Sequence, residues 1–383
     1  MRDRGHPALR AGSGAAASLC GLVAAALRDP PCIEQLLPRQ LDLLLRALRR
    51  SRLLGRLAWQ LREAGRLEAL PAPAIDQLLG ALALAESQQR AASWELDRVA
   101  YALRGMPTAP LVALKGCAYA LCGLPNARGR FLADVDVLVP RAQLAAVEDR
   151  LRSDGWRSAP LTAHDERYYR SWSHEIPPLR HEERGIEVDL HHNIVMSTAR
   201  QKPDARLLLA DARPLPGQSV HVLSPVDMAL HAMTHLMSSS DLADALRELV
   251  DIDDLLRHFA AHEPGFWDRL WPRAEALDLA RPAFHALRQA HRCLGTPVPR
   301  PVLAASSAAA PPAPVLQLTD RLMPLALFPM HPDRRSHAAQ AARVMLYLRS
   351  HWIRMPAPLL VRHLGHKLRL RMRASKTAPP MTG

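Results

Sequence analysis

Between Leu36 and Leu103, leucines recur every three or four positions along "LLPRQLDLLLRALRRSRLLGRLAWQLREAGRLEALPAPAIDQLLGALALAESQQRAASWELDRVAYAL". That is the helical period, so the stretch predicts a succession of amphipathic helices, interrupted at Pro71 and Pro73. The period then changes. "LVAL" (111–114) reads as a short apolar strand, Gly116 as a turn, "CAYALCGL" as a helix and "NARGR" as a loop. "ADVDVLVP" alternates and is β-branched, which predicts a strand ended by Pro140. "RAQLAAVEDRLRSDGW" predicts an amphipathic helix closed near Gly155, and after a polar stretch rich in His, Tyr and Trp, "GIEVDLHHNI" (185–194) is again strand-like.

Beyond Ser224 the chain returns to the helical period, with Ser224, Pro225 and Asp227 predicting a capped start, and helices continue to about Leu294. "TPVPRPVLAASSAAAPPAPV" (296–315) has the composition of a Pro/Ala linker. The expected class is α+β, a small mixed sheet with flanking helices between helical regions. The expected divisions are an N-terminal helical region (1–106), a sheet-containing core (107–223), a helical domain (224–295), the linker, and a helical tail (316–383).

Composition is compatible with this picture: 48% hydrophobic but only 4% aromatic, so the core must come mainly from Leu, Ala and Val on helices. The formal charge of +13 raises polyanions as partners. Its distribution weakens that reading, because no acidic residue follows Asp333 while eleven Lys and Arg do, from Arg334 to Lys376. The excess belongs to the tail, where a solvated helical face is the simplest account and anion binding the second. Cys20, Cys32, Cys117, Cys122 and Cys293 are odd in number and irregularly spaced, which fits neither a disulfide framework nor a zinc ribbon. The apolar run from Ala15 to Leu27 imitates a signal peptide but is alanine-heavy, and no window approaches the roughly 20 apolar residues of a membrane span. A cytoplasmic location is expected.

Side chains alternate along a strand, so Asp134 and Asp136 share one face with Cα atoms about 7 Å apart. Two readings are open on this spacing alone. The pair could converge on Mg²⁺ or Mn²⁺, whose hard charge suits carboxylate oxygens, or it could be the solvated face of an edge strand. A third carboxylate, Asp189 in "IEVDLHHNI", shifts the balance towards a site for phosphoryl or nucleotidyl transfer with two metals about 3.5–4 Å apart.

With these residues in place, "VALKGCAYA…RGRFLADVDVLVPRAQLAAVEDRLRSDGW…IEVDLHHNI" resembles the uncharacterised nucleotidyltransferase family of bacteria, a branch of the DNA polymerase β-like nucleotidyltransferase superfamily. The L-K-G turn, an Arg four residues before the D-x-D, and a later carboxylate followed by His carry the resemblance, which extends over roughly residues 30–370. It implies a nucleotidyltransferase core and a Mg²⁺- or Mn²⁺-dependent enzyme of the EC 2.7.7 type. Such an enzyme moves a nucleoside monophosphate from an NTP, with ATP expected, to a hydroxyl-type acceptor such as a small molecule, sugar, peptide or protein. Asp134 and Asp136 would bind both metals, and Asp189 would complete the second site and orient or deprotonate the acceptor. Lys115 and Gly116 stand where better-studied relatives carry Gly-Ser, so Lys115 would offer phosphate a charge in place of a hydroxyl. Arg130, with Arg128, would neutralise phosphate oxygens. Two alternatives remain: γ-phosphate transfer on the same site, or a non-catalytic nucleic-acid or polyanion binder on a degenerate fold.

Other candidates each have a plainer reading. Glu187 shares a face with Asp189 and is either a further ligand or a salt-bridged strand residue. His191 and His192 either orient the third carboxylate or are ordinary polar residues. His231 and His235, at i and i+4, lack the intervening Glu of a zinc hydrolase and read as structural or pocket-lining. Asp251, Asp253 and Asp254 read as a surface acidic group, with Asp251 the one that could face a cleft, and Cys117 and Cys122 as buried thiols.

Overall fold

Pro38 opens the helix Pro38–Arg50, where its missing N–H costs nothing, and Leu41, Leu44, Leu45 and Leu48 repeat at helical spacing on the buried side. This is the second of four helices, α1 (Leu19–Arg28), α2 (Pro38–Arg50), α3 (Leu54–Glu63) and α4 (Ala72–Ala102), that precede the sheet in a computed structural model describing residues 18–106 and 110–361. Residues 15–17 of the signal-like run and the tail cations from Arg362 onward lie outside the described residues, and the rest of that run forms α1 with its cap Ser18. The helix breaks at Pro71 and Pro73 fall as expected, with Pro71 capping the 31-residue α4.

After α4 come β1 (Val112–Ala113), α5 (Lys115–Leu121), β2 (Asp134–Leu138), α6 (Leu144–Ser153) and β3 (Trp156–Ser158). They are followed by α7 (Ala163–Ser171), β4 (Leu179–His181), β5 (Glu187–His191), α8 (Ala205–Ala210), β6 (Arg213–Pro214) and β7 (His221–Val222). The strands form one mixed sheet in the order β3-β4-β5-β2-β1-β7-β6, so the class is α+β as expected. β2 lies inside the sheet, parallel to β5 and antiparallel to β1. This removes the edge-strand reading of the D-x-D: Val135, Val137 and Leu138 are fully buried, and so is Asp136 at 3% exposure.

The polar stretch before β5 contains structure that its sequence pattern does not reveal. β3 and β4 are three residues each, and Trp156 from β3 donates its indole N–H to the fully buried Glu95 of α4 at 2.8 Å. Arg184 pairs with the same carboxylate at 2.6 Å and lies over the Trp156 ring, so Glu95 is satisfied twice.

The remaining helices are α9 (Pro225–Ser238), α10 (Ala245–His262), α11 (Phe266–Ala276), α12 (Ala280–Gln289), α13 (Arg300–Ser306), α14 (Ala313–Leu327) and α15 (His337–Arg354). Ser224 caps α9 by accepting from the Asp227 N–H, with Pro225 at the first position, as the sequence predicts. The helical pattern beyond Ser224 is realised as separate helices, and the chain turns between α9 and α10. There the Ser239 hydroxyl accepts from the Asp241 N–H and the Asp241 carboxylate accepts from the Ala243 N–H, local bonds that compete with helical ones. The 296–315 stretch is likewise more than a linker, holding α13 and the first residues of α14. Of the described tail cations, Arg334 and Arg335 are exposed, whereas those of α15 are partly buried. Arg343 and Arg349 of α15 donate to the Phe328 and Met237 carbonyls.

Candidate active site

The parallel register of β2 and β5 sets Asp136 directly beside Asp189, and Asp134 shares their face one pleat away. Ligand oxygens of the three carboxylates lie within 4.8 Å of one another, close enough to share a metal ion. Glu187, in register with Asp134, is instead paired with Arg180 at 2.8 Å and half exposed.

Charge balance among the three is uneven. Burial alone would raise Asp136, but the Lys115 ammonium at 2.7 Å and the His191 ring nitrogen at 2.8 Å outweigh it, and its pKa falls well below the usual carboxylate range. Asp189 is pushed the other way, up to about 8, first by burial and then by the charges of Asp136 and Glu175. One of its buried oxygens, Oδ1, has no hydrogen-bond partner among the described residues. Asp134 also rises, because of Asp136 and then burial. The cluster therefore resists carrying three negative charges at once, and the Lys115 ammonium is bonded to Asp136 alone among the three.

Lys115, expected to meet phosphate, bonds Asp136 from the first position of α5 with a left-handed φ of 45°, while Gly116, expected to form a turn, sits inside the helix. A Cβ on Gly116 would collide with the Leu132 and Arg130 side chains, so its small size serves close packing under the arginine. Arg130 projects from a loop fixed from two sides. The Gln89 amide of α4 donates to the carbonyls of Ala127 at 2.6 Å and Arg130 at 2.8 Å, and Gly129, with φ of 67°, touches the backbone of Gly55 in α3 so closely that neither residue can carry a Cβ. Its guanidinium bonds Asp251 at 3.0 Å, whereas Arg128 lies over the Trp59 ring.

α10 thus has a larger role than an acidic surface. Asp251 and Asp254 are both buried, paired with Arg130 and Arg56 respectively, and Asp253 accepts from the Thr296 hydroxyl at 2.6 Å. His191 reaches Asp136 rather than Asp189, while His192 is buried apart from the carboxylates and pushed down to about 4, chiefly by burial. His231 is buried and kept neutral by that burial; His235 lies 3.1 Å from Glu248. Cys117 is buried with its thiol pushed up by desolvation, and Cys122 is raised to about 11 for the same reason.

Two pockets meet over the carboxylates. One, of about 290 Å³, is lined by Asp134, Asp136, Arg130, Arg247, Glu248 and Asp251 among others. The second, of about 280 Å³, has Asp189, Glu175, His174, Met196 and Arg354 in its wall. Lys115, His235, Ser239 and Asp241 border both. His174, Glu175, Arg247 and Glu248 are not among the sequence candidates, and Arg354 stands there only as one of the tail cations. The only local trace was the "SHEIP" within the polar stretch, where Glu175 forms an isolated bridge to His191.

No helix among the described residues is long and apolar enough to cross a membrane. No curated protein and no solved structure matches the chain. The model of a family described as "Uncharacterised nucleotidyltransferase" does match, over residues 38–295, a span that takes in α2 to α12 and every strand of the sheet. With its three clustered carboxylates inside that span, the chain belongs to the uncharacterised nucleotidyltransferase family.

Proposed function

We propose that this protein is a Mg²⁺- or Mn²⁺-dependent nucleotidyltransferase that moves a nucleoside monophosphate from an NTP, with ATP expected, to a hydroxyl-type acceptor. The observation that carries the reading is the convergence of Asp134, Asp136 and Asp189 beside two joined pockets. The orphaned buried oxygen of Asp189 and the all-carboxylate donor set fit a hard divalent cation. A bound Mg²⁺ would supply charge neutralisation for the phosphates and activation of the attacking oxygen.

The chain's own residues divide the remaining work. Asp134 and Asp136 hold the cation site, and His191 fixes the Asp136 carboxylate from behind. The pocket with Arg130 and Arg247 receives the triphosphate, where two guanidinium groups offset phosphate charge. Asp251 keeps Arg130 aligned. Asp189, bordering the second pocket, takes the proton of the acceptor hydroxyl. The acceptor oxygen forms its bond to the α-phosphorus as the bond from that phosphorus to the bridging oxygen breaks, and pyrophosphate leaves with the electron pair. Lys115 holds the Asp136 carboxylate and borders both pockets, where its ammonium adds positive charge on the phosphate side.

Direct Mn²⁺ binding, followed by electron paramagnetic resonance, tests the metal site independently of turnover. Wild-type protein should bind Mn²⁺ and Asp136→Asn should weaken it by about tenfold or more. Equal binding by both proteins would remove the basis of the proposal.

A further inference from the structure

Arg354, the last residue of α15, lies outside the segment that the family model matches, yet its side chain enters the second pocket. Its guanidinium donates to the Ser240 hydroxyl at 3.0 Å and contacts the Met196 sulfur at 3.2 Å. Among the described residues no carboxylate pairs with it, in contrast to Arg130, which is paired with Asp251, and Arg247, which is paired with Asp244. The position is held rather than adventitious. The Thr198 hydroxyl donates to the Arg354 carbonyl at 2.8 Å, and Arg200 donates to the carbonyls of Ile353 at 3.0 Å and Trp352 at 3.2 Å. These bonds strap the end of α15 onto the segment after β5.

A half-buried guanidinium whose partners are a thioether and a hydroxyl is under-compensated, and an oxyanion that can accept two parallel N–H bonds, a carboxylate or a phosphate, is its natural complement. Of the other charged residues in the pocket wall, Lys115 is already paired with Asp136, and Asp189, Glu175 and Asp241 are acidic, so Arg354 is the lining cation without a carboxylate partner among the described residues. Arg354 and Ser240 also border a third cavity, of about 330 Å³, lined by Tyr168, Tyr169 and Leu161. The arginine therefore stands between the second pocket and this third cavity.

We infer that the second pocket binds an acceptor bearing a carboxylate or phosphate, held by Arg354 so that the acceptor's hydroxyl faces Asp189. This rests on the nucleotidyl-transfer reading for the meaning of the hydroxyl, but the anion site itself is testable by binding alone. Calorimetric titration of the intact protein would use matched probes: glycerol 3-phosphate and glycerate against glycerol, and glucose 6-phosphate against glucose. At least one anionic probe should bind at least tenfold more tightly than its neutral twin, and whether the carboxylates or the phosphates do so identifies the oxyanion. Arg354→Met should abolish that preference, Arg354→Lys should restore part of it, and Arg247→Met, in the other pocket, should leave it intact. No preference for any anionic probe, or a preference unchanged in Arg354→Met, overturns the inference. Because Asp134→Asn is expected to lose transfer and keep anion binding, retained binding with no transfer in the wild type would overturn the transferase reading and leave the anion site standing.

Discussion

The Lys115 ammonium lies 2.7 Å from the Asp136 carboxylate, on a residue whose φ of 45° belongs to the left-handed region that side chains beyond glycine rarely occupy. The ion pair is buried, with the Asp136 side chain 4% exposed, so it compensates a charge that water cannot reach. Lys115→Met should therefore destabilise the metal-free protein by about 3–5 kcal/mol, the usual cost of leaving one partner of a buried pair alone. Mg²⁺ should recover part of that loss, so the rise in melting temperature on replacing EDTA with Mg²⁺ should be larger for the variant than for wild type. An equal rise in both would mean that the lysine and the cation do not serve the same carboxylate.

Arg130 and Asp251 form a second buried pair, 121 positions apart in sequence, that ties the loop before β2 to α10. Arg130→Met alone strands the Asp251 charge and should cost about 3–5 kcal/mol by chemical denaturation. Adding Asp251→Asn removes that charge, so the double variant should be more stable than Arg130→Met while remaining impaired in NTP binding. Additive losses would show that the two side chains act separately.

Gly116→Ala tests the packing role of that glycine. Its Cβ would overlap the Leu132 and Arg130 side chains, and the backbone here is ordinary helix, so the strain must be taken up by the arginine. The variant should weaken NTP binding more than it lowers the melting temperature, whereas unchanged binding would show that Arg130 does not meet the nucleotide.

His285, on α12 and away from the carboxylates, is 3% exposed, and its pKa is pushed down to about 3 by burial and by the charges of Arg349 and Arg281. The folded state thus binds the proton less readily than the unfolded chain, whose histidine titrates near 6.5. The penalty is absent above pH 6.5 and grows as pH falls through the window down to about 3. At pH 5 it amounts to about 2 kcal/mol. His285→Leu should shrink the loss of unfolding free energy between pH 7 and pH 5 by that amount, and an unchanged loss would contradict the burial argument.

How much of this was legible in the sequence follows from the range over which each signal acts. The strand around Asp134 and Asp136, the amphipathic helices and the Ser224–Pro225 cap are local patterns, and each was readable where it stood. The three carboxylates could be picked out as candidates, but that Asp136 sits beside Asp189 is a matter of register between β2 and β5, which no local period encodes. Asp251 and Asp254 read as surface residues because their partners, Arg130 and Arg56, lie more than a hundred positions away. Lys115 was expected to address phosphate, and its bond to Asp136 depends on a backbone angle that its side chain does not advertise. Arg354 looked like one cation of a basic tail, and its place in the pocket depends on the strap to Thr198 and Arg200.

The most direct test of the central claim follows the label of ATP. Wild-type protein with Mg²⁺ is incubated in parallel with α-³²P-ATP and γ-³²P-ATP and a panel of hydroxylated acceptors, including the anionic ones named above. Label should appear on an acceptor from the α-phosphate only, with release of pyrophosphate, and Asp134→Ala or Asp136→Ala should lower the rate by at least about 100-fold while leaving the melting curve cooperative. Transfer of the γ-label, or α-label transfer undiminished in either variant, would contradict the account.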